Sequence, residues 1–145
     1  MKRGKISDTI LGRSVFKLLG KRGNTVKPAY GQDAAHINMQ GKPVLAAVST
    51  GELAVYRAVN NISAACGVAD CIMDTVIIDE KSREIRLKEI IKELDRQCCI
   101  AGVGIAGGHT TVSDKVNSTV VSVMAIGHQE RVQNKAVAGQ DIVVT

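Results

Sequence analysis

The stretch PVLAAVSTGELAVYRAVNNISAACGV (43–68) decides how this chain is read. Its opening, 43–49 (PVLAAVS), is a nearly continuous apolar run, the pattern of a strand covered on both faces. Thr50 is a capping residue type and opens a helix from Gly51 to Cys66. Within it Val55, Val59, Ile62 and Cys66 recur at i, i+4, i+7 and i+11 as one apolar stripe, and Gly67 supplies the stop.

The same logic extends in both directions. Upstream, 33–39 (DAAHINM) is a short strand ending at Gly41. Downstream, 71–78 (CIMDTVII) reads as a central strand, and Asp79 to Lys81 turn the chain. Ser82 caps a second helix running to about Ala101. In that helix Leu87, Ile90, Ile91, Leu94 and Cys98 face the core. Glu84–Lys88 and Glu93–Arg96 lace the wet face. Gly102 ends the helix. Residues 103–107 and 119–126 (TVVSVMAI) supply the last strand material, separated by a polar loop from His109 to Ser118.

The expected order is β-β-α-β-α-β, an α+β domain whose mostly antiparallel sheet carries two helices on one face. Ahead of it, 7–19 (SDTILGRSVFKLL) forms an amphipathic helix started by Ser7 or Asp8 and stopped by Gly20, Gly23 and Asn24. Two parts follow from this pattern: a basic N-terminal helix and loop (1–30) and the α+β domain (31–135), with 136–145 beyond it.

Length and composition narrow the function classes. A chain of 145 residues is one typical domain, and 45% hydrophobic residues exclude a disordered or fibrous chain. No apolar run approaches the roughly 20 residues a membrane helix needs, so a soluble chain is expected, with no membrane partner. Aromatic residues make up 2% of the chain, which argues against the stacking surfaces of single-strand nucleic-acid binders. Residues 1–30 hold eight basic side chains against Asp8 alone, whereas the other 115 residues are slightly acidic. A basic end meets phosphate or an acidic partner when it is not simply solvated, and nucleic-acid binding there would weaken steeply with salt. Cys66, Cys71, Cys98 and Cys99 form no C-x-x-C, and with His36, His109 and His128 scattered there is no zinc spacing. Buried, reduced thiols in a cytoplasmic protein are expected.

Phosphate motifs fail on context. Gly102-x-Gly104-x-x-Gly107 matches the dinucleotide fingerprint by letter, but it follows a helix and enters a strand, the reverse of what the pyrophosphate requires. No Walker A sequence and no G-x-S-x-G elbow are present. What stands out is polar residues at element ends. Gly31-Gln32-Asp33 opens a strand, Asn60-Asn61 sits on the first domain helix, and Gly107-Gly108-His109-Thr110 closes a strand. Paired glycines leave backbone N–H groups free to form an anion-binding concavity. Asp33 is a hard oxygen ligand of the kind Mg²⁺ uses beside phosphates.

The order GQDAA (31–35), AVNNISAACGV (58–68) and AGVGIAGGHTTVS (101–113) resembles the N-terminal domain of the aminoimidazole ribonucleotide synthetase superfamily, PurM-like in fold. The opening GKISDTILGRSVFK (4–17) is similar to its HypE-like, synthetase-related branch, and AVAGQDIVVT (136–145) resembles the entry to the family's second domain. The resemblance implies ATP and Mg²⁺ along an interface between two copies whose sheets join. It also implies a chain that stops where the substrate-bearing domain begins, and so an incomplete catalytic unit. By position, Asp33 matches the second acid of the family's opening motif and is the one metal ligand implied. Asn60 matches the Asn of an Asn-Asp pair, and Gly107, Gly108, His109 and Thr110 match the family's G-G-D/H-T.

Departures are equally specific. Gln32, Asn61 and Thr111 stand where acids are expected, and Ala47–Gly51 lacks the acid that follows the second strand. The expected cofactor-binding set is therefore Lys27, Asp33, Asn60, Asn61, Gly107, Gly108, His109 and Thr110. The expected partner is a second copy, since apolar strands 43–49 and 119–126 would leave sticky edges on a monomer. The alternative is a degenerate module that pairs with a two-domain family member.

Overall fold

The computed structural model describes residues 6–19, 31–131 and 136–141. Lys27 and the loop around it lie outside them. A short helix α1 (Asp8–Ser14) and a 3-10 turn (Phe16–Leu18) precede the domain, so the expected 7–19 helix is broken at Val15, where φ is −120°. Five strands follow, β1 (Ala35–Met39), β2 (Lys42–Thr50), β3 (Gly67–Asp79), β4 (Gly104–Ser113) and β5 (Val120–Gln129), with helices α2 (Ala54–Ala64) and α3 (Glu84–Ala101). They form one sheet in the order β1-β2-β5-β3-β4, antiparallel except for the β3–β4 pair that α3 connects. The α+β reading holds.

Several local expectations change. The last strand material is two strands, and β4 runs through the supposed polar loop to Ser113. Its polar residues pair in parallel with β3, Thr75 opposite His109 and Ile77 opposite Thr111. Such residues suit an edge strand whose outer side meets water. Strands β2 and β5 are interior rather than outer, so the edges are β1 and β4. Thr50 ends β2 instead of capping a helix. Gly51, at φ +100°, donates its N–H to the Val121 carbonyl, and α2 starts after Leu53. Ser82 serves the turn, its hydroxyl donating to Asp79 Oδ2 at 2.7 Å, and α3 starts after Arg83. Cys66 leaves the helix at φ +60° and accepts the N–H groups of Glu130 and Arg131.

Helices α2 and α3 cover one face of the sheet. Under them lie Leu45 and Ala47 of β2, Ile72, Val76 and Ile78 of β3, and Val123 and Ala125 of β5. They meet Val55, Ala58 and Ile62 from α2 and Leu94 and Cys98 from α3. Each fully buried Leu, Ile or Val contributes about 1.5–3 kcal/mol. Ile91 is exposed and Gln97 takes a buried place, because the inward stripe runs Leu87, Ile90, Leu94, Gln97/Cys98. Glu84–Lys88 and Glu93–Arg96 pair as expected. All four cysteines are free, but only Cys98 is buried and Cys99 is exposed. Gly67 has a packing role, since a Cβ there would run into Leu45 Cδ1.

The opposite face is also apolar. Strand alternation sends Val44, Ala46 and Val48, then Met124 and Ile126, then Met73 and Ile77 to a side that no described helix covers. Val48 is 63% exposed and Met73 41%.

Candidate functional site

Strand β4 carries Gly107, Gly108, His109 and Thr110 on the outer edge of the sheet. A bulge directly precedes them: Ile72 pairs with Ile105 and Met73 with Gly107, which leaves Ala106 as the extra residue. The two glycines are extended, since neither is among the positive-φ residues. They therefore lie in mid-strand and form no backbone nest of alternating hands. What they offer instead is an edge, where every second N–H faces away from the sheet.

A residue absent from the sequence reading stands beside them. Asp74 pairs with Gly108 across the β3–β4 ladder, and a Cβ on Gly108 would lie 2.5 Å from Asp74 Oδ1. Burial pushes the Asp74 carboxyl above the usual carboxylate range, and no salt bridge among the described residues offsets it. Its negative charge, with that of Asp95 and with burial as the main cause, also pushes the Cys98 thiol up. A half-buried carboxylate without a cation is costly unless a ligand supplies one. One signal could have found it: within 71–78, Asp74 shares the strand parity of Ile72, Val76 and Ile78 and is the one acid there.

The other residues singled out lie elsewhere. Asp33 is exposed, two positions before β1, at the opposite edge from β4. Four interstrand spacings of about 4.8 Å separate those edges, roughly 19 Å in all. Register puts the two on one level. Ala35 pairs with Ala46, so Asp33 continues opposite Val48, whose row crosses Met124 and Met73 to Gly107. Asn60 is exposed and Asn61 half-buried near the end of α2, where the Asn61 carbonyl accepts the Ala65 N–H. A single chain thus brings Gly107–Thr110 to Asp74 and not to Asp33.

Among the described residues no group of three or more His, Cys, Asp or Glu side chains is placed to hold a metal. The donors present do not form a resident metal centre. They fit a divalent cation carried in on phosphates, which needs only about one or two protein carboxylates. Elsewhere, His128 Nδ1 meets the carboxylate of Asp70 at 2.9 and 3.0 Å on the sheet's exposed end. No helix of the described residues is long and apolar enough to cross a membrane.

Comparison with known proteins places this architecture. The family model for the AIR synthase related protein, N-terminal domain, matches residues 25–129, and the chain belongs to that family. Among solved structures, HypE in a HypE–HypF complex matches with a TM-score of 0.60 at 24% identity, over 69% of this chain and 37% of that one. AaThiL complexed with AMPPCP and TMP matches with a TM-score of 0.60 at 17% identity, over 72% of this chain and 38% of that one. The hydrogenase maturation protein HypE in complex with ATP matches with a TM-score of 0.56 at 16% identity, over 88% of this chain and 41% of that one. These likenesses establish the fold. The chain spans well under half the length of each of the three. No curated protein matches.

Proposed function

We propose that this chain is a nucleotide-binding domain that takes ATP with Mg²⁺ at the β4 edge and is catalytically incomplete on its own. One observation carries the reading. Gly107 and His109 stand at the open-face parity of the edge strand, Gly107 level with Asp33, inside the stretch Gly107–Thr110 that resembles the family's phosphate motif. The Gly107–Thr110 edge would meet phosphates, with Lys27 and its basic loop as the second contact. Fold relatives solved with ATP and with AMPPCP support a nucleotide as the ligand.

The site is shared between two copies. Strand β2 has the apolar pattern of a strand covered on both faces, yet the described residues cover one. Stacking two such open faces about 10 Å apart covers both. A two-fold axis running along the strands reverses strand order, so the β1 edge of one copy lies over the β4 edge of the other. Because that operation keeps the level along the strand, Asp33 of the second copy comes opposite Gly107 of the first. There Asp33 would supply a carboxylate to the metal, with His109, at the same open-face parity as Gly107, as a polar neighbour of the nucleotide. Asp74 and the α2 residues Asn60 and Asn61 stand on the helix-covered side.

Calorimetric titration of ATP with and without Mg²⁺ tests this. Binding should require Mg²⁺ and should fall on Asp33→Ala. Binding indifferent to Mg²⁺ and to Asp33→Ala would reject these roles. The neutral Gln32, Asn61 and Thr111 favour a second reading, a non-binding module whose open face pairs with a two-domain family member. Absent ATP binding, together with a stable complex with such a partner, would establish it.

A further inference from the structure

A cleft of about 560 Å³ opens between the loop after β2, α3 from Arg86 to Gln97 and the start of β5, and none of the motif residues lines it. Leu53, Ile90 and Leu94 give it an apolar wall. Its rim carries Glu52, Glu89 and Glu93 against Arg86 alone. Arg86 reaches Glu89 at 3.4 Å, and Arg96 clamps Glu93 at 2.6 and 2.8 Å. Glu52 has no ion pair among the described residues. Gln97, 2% exposed, also lines the cleft. Its Nε2 donates to the Glu52 carbonyl and to Glu93, while its Oε1 has no partner among the described residues. The cleft is apolar inside, anionic at its rim, and bordered by a buried amide with an unmet acceptor.

The N-terminal segment has the complementary chemistry. Leu18 is 76% exposed, and Ile6, Val15 and Leu19 are exposed beside it, while Arg13 and Lys17 place cations on the same stretch. None of residues 6–19 lines the cleft of its own chain. A short amphipathic segment showing its apolar side to water is marginal by itself and gains most from a groove.

We propose that the cleft receives residues 6–19 of a second copy of the chain, with Leu18 and Leu19 against Leu53, Ile90 and Leu94, and Arg13 and Lys17 at Glu52 and Glu89. Each copy owns one segment and one cleft, so a two-fold exchange fills both. The exchange uses no residue of the nucleotide site, so it stands or falls separately from that reading.

Photo-crosslinking of the full chain tests it. Leu18 is replaced by p-benzoylphenylalanine, the variant is mixed with an equal amount of ¹⁵N-labelled wild type, and crosslinked peptides are sequenced after irradiation. Light-to-heavy crosslinks should fall on peptides containing Leu53 or Ile90. Glu52→Lys with Glu89→Lys in the heavy copy should cut their yield by roughly fivefold, the loss expected for two partly exposed ion pairs. Lys17→Glu in the light copy should recover part of it. Circular dichroism checks that each surface variant stays folded. Crosslinks confined to one isotope, crosslinks to the open sheet face, or none between copies would overturn the proposal.

Discussion

On β2, Leu45 and Ala47 lie fully under the helices, while Val44, Ala46 and Val48, interleaved with them, face the uncovered side. The same contrast runs along β5 and β3, where Val123 and Ile72 are buried and Met124 and Met73 look outward. The two faces are made of the same residue types and differ only in what covers them. An apolar run without alternation therefore marks two faces fit for burial. Among the described residues only one of them is covered.

Substitutions on the two faces break or sharpen that contrast. Leu45→Ala should cost about 2–5 kcal/mol in chemical denaturation, whereas Val48→Ala on the same strand should stay within about 0.5 kcal/mol for the monomer. Equal losses would erase the distinction between faces. Gly108→Ala drives a methyl into Asp74 and should cost about 1–3 kcal/mol, of which the Gly108→Ala/Asp74→Ala pair recovers only the side-chain part, because the Asp74 carbonyl oxygen lies 2.6 Å from the same methyl. Additive losses would mean the two residues do not press on each other.

Met73→Asp places a charge in the open face. It should leave the fold intact and shift sedimentation at micromolar concentration from two copies toward the 15.4 kDa species. The smallest effect concerns pH. Burial raises the Asp74 carboxyl above 3.8 in the folded chain, so its native state favours the proton. That contribution is fully present below 3.8 and is lost as pH rises through the folded value. Asp74→Asn should therefore be more stable than wild type near neutrality, and the advantage should vanish in acid. An advantage that grows in acid would contradict the assignment.

Much of the architecture was legible because periodicity survives in single segments. The α2 stripe of Val55, Val59 and Ile62 and the α3 stripe through Leu87, Ile90 and Leu94 are local patterns that burial enforces. Strand order was not legible: 43–49 and 119–126 read as outer strands, and both are interior. Pairing is a long-range choice that a strand's own composition does not encode. The His109–Ser113 stretch misled for a related reason, because an edge strand tolerates the polar residues of a loop. Motif residues could be found one by one, but their distances could not. The separation of Asp33 from Gly107 and the meeting of Asp74 with Gly108 both come from register.

The shared site is tested most directly by subunit complementation. Asp33→Ala spoils the contribution of one edge and Gly107→Asp that of the other, so neither variant alone should bind ATP with Mg²⁺. In a mixture, each mixed pair regains one intact site, built from Asp33 of one copy and Gly107 of the other. Random pairing then predicts recovery of about a quarter of the wild-type sites by calorimetry. A mixture that binds no more than its components, or an Asp33→Ala chain that binds normally by itself, would contradict a site built across the two-fold.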